Sequence, residues 1–277
     1  MKIMSLNGWG GRVHERLVPY LAETEPDILC LQEVVHTPGA PRHWLTYRDT
    51  DIELPQRANF FDDVASALPD HVAIFCPAAI GDLWDEEIRV ASQWGLATFV
   101  HRRVPIVAQA QGFVHKSFSA NSYGSHPRSR SAHVVRVFDF ELGEPVVVGH
   151  MHGLRDLAGK GDTPERRIQA QRLSALIASV TEPGDAIVAC GDFNVLPGSE
   201  TFDTLKKMGL NDLVTGRGFT STRTSLYTKP NRFADYMAVS QALDHAQFDV
   251  VTNPEVSDHC PLILEFDSLE KTCRSPD

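Results

Sequence analysis

Short apolar runs recur along this chain, and most of them end at a polar residue. Residues 2–6 predict a strand that ends at Asn7, and residues 27–32 predict a second, buried strand that ends at Glu33. Between them, apolar positions at helical spacing over residues 12–23 predict a helix. The chain therefore opens with a strand–helix–strand unit in which each strand delivers a polar side chain.

The most informative run is residues 186–190, which is rich in β-branched residues and predicts a buried strand leading into Gly191-Asp192-Phe193-Asn194. Side chains two apart on an extended backbone point the same way, so Asp192 and Asn194 can face one cavity. Such a pair can hold or deprotonate a water and donate a hydrogen bond to an anion. A strand end with an Asx turn has the same composition, so these four residues alone leave both interpretations open.

The remaining pattern mixes strands, helices and loops. Residues 36–56 are interpreted as a loop and residues 81–89 as a surface helical turn, whereas residues 133–140 and 146–150 predict a hairpin. Two strands in direct succession argue against a simple alternating fold. We therefore predict an α/β (α+β) four-layer sandwich, with two packed mixed β-sheets flanked by helices. Further strands are predicted at residues 71–76, 94–101, 106–113 and 235–240, and further helices at residues 59–68, 163–180 and 199–208.

Composition and charge narrow the class of protein. The chain has 277 residues, 42% of them hydrophobic, which is enough for a sizeable core. Without an internal repeat or a linker, we expect a single domain over residues 1–268 and a polar tail at residues 269–277. A formal net charge of -10 argues against general binding of long nucleic acid, which needs clustered Lys and Arg. It does not exclude a nuclease, since a divalent cation offsets acidic ligands locally.

The cysteines and the N-terminal segment predict a compartment. Five cysteines without a CxxC pair indicate reduced thiols rather than disulfides or structural zinc. The N-terminal segment becomes polar too soon for a signal peptide, and no apolar run approaches the length that spans a membrane. We therefore expect a cytoplasmic protein that does not associate with membranes. Four cysteines lie in or beside apolar runs and one in the tail: Cys30, Cys76, Cys190, Cys260 and Cys273.

Polar residues at the predicted strand ends form a set that could converge if those ends point one way. Many oxygen ligands, without a cage of Cys or His, favour Mg²⁺ or Mn²⁺ over zinc, and such a metal polarises a phosphate oxygen. Each residue alone has a structural alternative, such as a turn amide or a solvated carboxylate. The set consists of Asn7, Glu33, His150, Asp192, Asn194, Asp235, Asp258 and His259.

This set resembles the motifs of the endonuclease/exonuclease/phosphatase superfamily. Any one motif is weak, but together they come in the family's order and extend over nearly the whole chain. The matching pieces are Leu6-Asn7, Leu31-Gln32-Glu33, His150, Gly191-Asp192-Phe193-Asn194, Asp235-Tyr236 and Ser257-Asp258-His259-Cys260-Pro261. The resemblance implies that Glu33 is the principal ligand of Mg²⁺ or Mn²⁺. It implies that Asn7 and Asp258 bind the metal directly or through water.

The resemblance also implies catalytic roles. Asp192 would orient or deprotonate the attacking water, and Asn194 would bond a phosphate oxygen. His259 would contact the phosphoryl group as a cation or proton donor. Asp235 would hold its ring and raise its pKa. His150 would be a second histidine facing the phosphate.

Three positions leave alternatives open. The family often has an Arg two residues before the Asp of its Asp-Tyr motif, but this chain has Phe233 there and Arg232 one residue earlier. Whether Arg232 faces the site is open. His152 is an alternative to His150, which we favour as the residue that ends its strand. Arg130 could contact phosphate, although a solvated arginine is the more common case.

The fold does not choose a substrate, because this superfamily cleaves DNA, RNA, lipid head groups and small phosphoesters. We expect the loops at residues 36–56, 117–131, 151–162 and 215–230 to recognise it. The excess of acidic residues over basic ones argues against long duplex DNA as the main substrate. We therefore favour a metal-dependent hydrolase of a small or single-stranded phosphate ester. The alternatives are a structure-specific DNA or RNA nuclease and a non-catalytic module that binds phosphate ligands.

Overall fold

Two mixed β-sheets form the frame of the computed structural model, which describes residues 1–49 and 52–270. In spatial order, the first sheet contains β13 (Gln247–Val250), β14 (Leu262–Glu265), β1 (Lys2–Asn7), β2 (Ile28–His36), β6 (Ile88–His101), β5 (His71–Asp85), β3 (Trp44–Asp49) and β4 (Ile52–Arg57). The second contains β11 (Leu210–Asp212), β12 (Asp235–Ser240), β10 (Ala186–Asp192), β9 (Glu144–His152), β8 (Arg130–Asp139) and β7 (Ile106–His115). The pairs β1–β2 and β9–β10 are parallel, and the other neighbours are antiparallel.

Helices cover the outer faces of the two sheets. On the first sheet, α1 (His14–Thr24) and α2 (Phe60–Ala67) share a buried cluster with β1 and β2 that includes Leu17, Phe60 and Leu29. On the second sheet, α3 (Pro164–Ala178) packs against β7, β8 and β9, and α4 (Glu200–Lys206) and the short α5 (Leu213–Gly216) come after it in the chain. The predicted four-layer sandwich is therefore confirmed.

Alternation along the strands divides the apolar residues between two layers. In β1, Ile3 joins the core shared with the second sheet, whereas Met4 joins the layer beneath α1 and α2. In β2, Ile28 and Leu29 divide in the same way. A strand buried on both faces reads as a continuous apolar run, which is why these strands could be predicted.

Two stretches differ from their predicted structure. Residues 36–56, predicted to be a loop, contain β3 and most of β4, which pair as a hairpin. Pro55 lies within β4, and a proline is tolerated there because β4 is the outermost strand of its sheet. Residues 81–89, predicted to be a helical turn, continue β5 and begin β6 around a turn at Glu86, with Leu83 buried.

The chain end is described as far as Glu270, whose backbone N–H donates to the Ala242 carbonyl at 3.0 Å. Leu269 packs against the core, and residues 271–277, which include Cys273, lie outside the described residues. The division into one domain over residues 1–268 and a tail stays a prediction. The other four cysteines are buried free thiols. None of the described helices has the length and apolar character needed to cross a membrane.

A buried polar chain joins the two sheets. The Thr98 hydroxyl of β6 lies 2.7 Å from His133 Nδ1 and 2.8 Å from His150 Nε2. His150 Nδ1 lies 3.3 Å from Gln32 Nε2 of β2. Burial lowers the pKa of His133 to about 4 and that of His150 well below its usual range. Both rings are therefore neutral at pH 7.

These buried rings should make stability depend on pH. The unfolded chain takes up protons below about pH 6.5 while the folded His133 stays neutral, so stability is lost as the pH falls toward about 4. The variant His133→Asn keeps an amide near the Thr98 hydroxyl and removes this titration. We expect the loss of unfolding free energy between about pH 7 and about pH 5 to shrink by about 2 kcal/mol. Denaturant unfolding at both values measures it.

The matched control is His43→Asn, which changes an exposed histidine. A pH dependence in His133→Asn as steep as in the wild type would contradict the assignment.

Candidate active site

Asp192, the last residue of β10, lies at the centre of a buried polar cluster. Its Oδ2 accepts a hydrogen bond from Asn7 Nδ2 at 3.1 Å. The same oxygen lies 3.7 Å from His152 Nε2 and 3.8 Å from His259 Nε2. Because Asn7 ends β1 and Asp192 ends β10, the cluster is built from both sheets.

The backbone after β10 holds Asp192 and Asn194 in place. Gly191 has φ +127°, and a Cβ there would lie 2.2 Å from the Met151 carbonyl oxygen, so a larger residue cannot fit. The Asn194 N–H donates to Asp192 Oδ1 at 3.0 Å, while Phe193 is buried in the core. The Asx-type turn and the cavity-facing carboxylate are therefore both present, and one does not exclude the other.

His259 and Asp235 form a buried pair. Both Asp235 carboxylate oxygens lie 2.8 Å from His259 Nδ1, which directs Nε2 toward Asp192 and Asp258. Burial raises the pKa of Asp235 to about 7. Burial, and then the guanidinium of Arg223, lower the pKa of His259 to about 4 against the attraction of the nearby carboxylates.

Burial therefore opposes the rise in the pKa of His259 that Asp235 was expected to cause, because loss of solvation exceeds the effect of the carboxylates. An anionic ligand next to Nε2 would raise this pKa.

Glu33 reaches the cavity from an irregular part of β2. The register between β2 and β6 shifts there, and Glu33 has φ +55°. Its side chain is 30% exposed, and Oε1 lies 3.9 Å from His152 Nε2. Burial and the negative charge of Asp192 raise the pKa of Glu33, whereas a hydrogen bond from Asn7 and the charge of Arg130 oppose this rise. The carboxylates thus repel one another, and a cation would relieve this.

Asp258 has one carboxylate oxygen that forms a hydrogen bond and one that does not. Its Oδ2 accepts a hydrogen bond from Arg223 Nη1 at 3.0 Å, but its buried Oδ1 has no hydrogen-bond partner. Together with Glu33 and Asn7 it offers the oxygen ligands that Mg²⁺ and Mn²⁺ prefer. Among the described residues, the group of His, Cys, Asp and Glu side chains with ligand atoms within 4.8 Å of one another is Asp192, Asp235 and His259.

The structure brings His152, rather than His150, into this cluster. β9 continues to His152, which pairs with Asp192 of β10, whereas His150 pairs with Cys190 two residues earlier. His150 therefore lies deeper between the sheets, where both ring nitrogens contact Thr98 and Gln32. Burial, and then the positive charge of Arg130, lower the pKa of His152 well below its usual range. We expected His150 to face the cavity, but this geometry places His152 there instead.

Arg232 does not reach the cluster. Its guanidinium donates to the carbonyls of Tyr227, Arg223 and Thr224, and so stabilises the preceding loop. The arginine in the cluster is Arg223, which contacts Asp258. Burial opposes its charge, but the surrounding carboxylates more than compensate and raise its pKa. Sequence reasoning missed Arg223 because it lies in a loop without periodicity.

Two further cations lie beside the carboxylates. Arg130 is 4% exposed, and its Nε donates to the Gly153 carbonyl at 2.9 Å. Burial lowers its pKa to about 10, although Glu33 and Asp192 attract the charge. Lys160, which the sequence did not single out, donates to the Phe233 carbonyl at 2.5 Å, and burial lowers its pKa. The positive charge of the cluster therefore comes from arginine and lysine rather than from histidine.

Carboxylates, an amide, histidines and cations are gathered at one end of a two-sheet sandwich, an arrangement suited to binding a divalent metal and a phosphate. Residues 4–259 match the model of the Endonuclease/Exonuclease/phosphatase family, and the chain belongs to this family. The family is generally dependent on divalent metals. No curated protein matches the chain.

Solved structures share this fold at low sequence identity, which shows the fold alone. A mannosyl-6-phosphatase from Bacteroides thetaiotaomicron is 15% identical, with a TM-score of 0.63, over 96% of this chain and 98% of that one. The human Nocturnin catalytic domain with bound sulfate anion is 19% identical, with a TM-score of 0.63, over 95% and 92%. Humanized TDP2 from D. rerio is 13% identical, with a TM-score of 0.59, over 95% and 97%.

Proposed function

We propose that the protein is a divalent-metal-dependent hydrolase that acts on a small or single-stranded phosphate ester. The observation that carries this proposal is the convergence on Asp192 Oδ2, which has Asn7 Nδ2 at 3.1 Å, His152 Nε2 at 3.7 Å and His259 Nε2 at 3.8 Å. These groups are far apart in the chain and within reach of one ligand. The family membership supports hydrolysis of a phosphoester in general.

Glu33, Asn7 and Asp258 would hold Mg²⁺ or Mn²⁺, which neutralises charge on a phosphate oxygen when it is bound. Asp192 would hold the attacking water and accept its proton as the new P–O bond forms and the ester P–O bond breaks. The hydrogen bond from Asn7 keeps one Asp192 oxygen directed into the cavity.

The transition state carries more negative charge on the phosphoryl oxygens than the ground state does, so donors fixed nearby lower the barrier. The Asn194 side-chain amide donates one hydrogen bond to the Gly153 carbonyl at 3.3 Å and would donate its second N–H to the phosphate. His259 would donate through Nε2 once the phosphate has raised the pKa of the ring. Asp235 would hold that ring in place. Arg223 and Lys160 are close enough to the carboxylates to offset their charge.

Hydrolysis of p-nitrophenyl phosphate and bis(p-nitrophenyl) phosphate, with and without Mg²⁺ or Mn²⁺, tests the proposal and separates monoesters from diesters. We expect metal-dependent turnover of at least one ester. Absence of turnover on both would favour a non-catalytic binding module. Plasmid nicking faster than turnover of either small ester would favour the nuclease.

One prediction concerns Asp192 and His259. We expect Asp192→Ala and His259→Ala each to lower kcat by roughly 10²- to 10⁴-fold, because each removes a group that acts on the proton or the developing charge. Circular dichroism should show that the fold persists. Asp203→Ala changes an exposed carboxylate on α4 and is the control. Near-normal rates in either site variant would refute the role given to that residue.

A second prediction concerns Glu33. We expect Glu33→Gln to raise the Mg²⁺ concentration for half-maximal turnover by about ten-fold or more, because a neutral amide is a weaker ligand than a carboxylate. Calorimetric titration with Mn²⁺ in the absence of substrate should show a similar loss of metal affinity. Glu23→Gln, at an exposed position of α1, should match the wild type. An unchanged metal titration in Glu33→Gln would rule out this ligand.

A third prediction separates the two histidines of β9. His152→Asn removes the ring nitrogen that lies 3.7 Å from Asp192 Oδ2, and we expect kcat to fall by about 10²-fold or more with a small change in stability. His150→Asn breaks the contact with Thr98 between the sheets, and we expect mainly a lower unfolding free energy, by about 1–3 kcal/mol. The reverse pattern would restore His150 as the catalytic histidine.

A further inference from the structure

Beside Glu33 lies a cavity of about 150 Å³ that the proposed hydrolytic steps do not use. A dry cavity of about this volume is large enough to hold one benzene ring. Much of its wall is apolar or aromatic, and the wall includes Tyr47, Ile52, Leu54, Leu83, Trp94 and Tyr123. Its size and lining therefore suit one compact ring rather than a chain of nucleotides.

The polar groups on one side of the cavity already bond to each other. The Tyr47 hydroxyl donates to Asp49 Oδ2 at 2.8 Å and accepts from Arg128 Nη1 at 2.6 Å. Arg128 Nη2 donates to the same Asp49 oxygen at 2.8 Å, and His126 Nε2 lies 3.2 Å from it. A sugar on this side would have to compete for these partners, because its buried hydroxyls need hydrogen bonds of their own. The other polar side chains that line the cavity, besides Glu33 and Arg130, are Gln56 and Arg155.

The cavity borders the catalytic cluster. Glu33 and Arg130 line it, and both also belong to that cluster. The Arg130 guanidinium lies 4.8 Å from the centre of the Trp94 ring, which in turn lies 5.2 Å from the centre of the His152 ring. A group within one or two bonds of the phosphorus could therefore enter this cavity.

Strands of the first sheet and Tyr123 build much of the wall. The β3–β4 hairpin contributes Tyr47, Ile52 and Leu54, on the stretch that the sequence predicted to be a loop. The Tyr123 ring lies 6.0 Å from the Tyr47 ring, centre to centre, and packs over Gly81 of β5, where a Cβ would lie only 2.4 Å from the Tyr123 ring. This close approach requires glycine and holds the aromatic wall against the sheet.

We propose that this cavity binds the alcohol part of the substrate, and that this part is a compact apolar ring one or two bonds from phosphorus. The inference rests on the proposed function, because it takes the phosphoryl group to lie among Glu33, Asp192 and His259. Because the ring buries more apolar surface than an ethyl group does, we expect an ester that carries the ring to exceed the ethyl ester by about ten-fold or more in affinity or in kcat/KM.

Kinetics with three monoesters of primary alcohols test this preference, since their leaving groups are chemically similar. We expect kcat/KM for benzyl phosphate to exceed that for ethyl phosphate and for a hexose 6-phosphate by about ten-fold or more. If only diesters are hydrolysed, the methyl diesters of the same alcohols take their place. Equal values, or a preference for the hexose ester, would overturn the inference.

Calorimetric binding of benzylphosphonate and ethylphosphonate in the presence of Mg²⁺ provides a test that needs no turnover. We expect benzylphosphonate to bind about ten-fold more tightly to the wild-type protein. Ile52 lines the cavity at a position that is 44% exposed, so we expect Ile52→Trp to obstruct the cavity from its open side and to abolish this difference. Ile88→Trp, the same change at an exposed isoleucine outside the cavity, should preserve it.

The two proposals fail in different ways. Selective binding of the ring without turnover of any ester would retain the cavity assignment and overturn the proposed function. Metal-dependent turnover without selectivity for the ring would support the proposed function and overturn the cavity assignment. A ring preference that survives in Ile52→Trp would place the ring elsewhere and overturn the cavity assignment.

Discussion

The hydrogen bond from Asn7 to Asp192 joins the two sheets at their polar end, and the arrangement of the cluster depends on it. Both residues are buried, at 0% and 2% exposure, so neither can obtain its partner from bulk water. Ser257 extends the junction by donating its hydroxyl to the Asn7 carbonyl at 2.7 Å. This positions the segment that carries Asp258 and His259. Apolar packing between the sheets sets the separation at which these bonds form.

Burial also determines the charges in the cluster. Taking an imidazole out of water disfavours its charged form, so burial lowers the pKa values of His152 and His259 although carboxylates lie nearby. A guanidinium keeps its charge under the same conditions, and Arg130 and Arg223 therefore supply the positive charge. Such fixed charges and donors need little reorganisation when negative charge develops on a ligand.

The sequence was sufficient to place residues whose position depends on a strand end. It was not sufficient where the register between strands or the path of a loop determines which side chain reaches the cluster. Asp192 and Asn194 could be placed together because a two-residue spacing fixes their common side. His150 and His152 share that spacing, and only the alignment of β9 with β10 separates them. Arg223 comes from a loop that a periodic pattern cannot detect. The charged and proline-containing β3–β4 segment lacks the apolar alternation that identified the inner strands.

The proline of β4 has a consequence for the molecule as a whole. An outermost strand presents unpaired amide and carbonyl groups to which another chain can add. Pro55 has no N–H to offer, and Glu53 and Arg57 add charge on either side of it. This interrupts the ladder that a neighbouring copy would need for strand-to-strand aggregation. The hairpin can therefore leave one side open to solvent without recruiting a second molecule along its length.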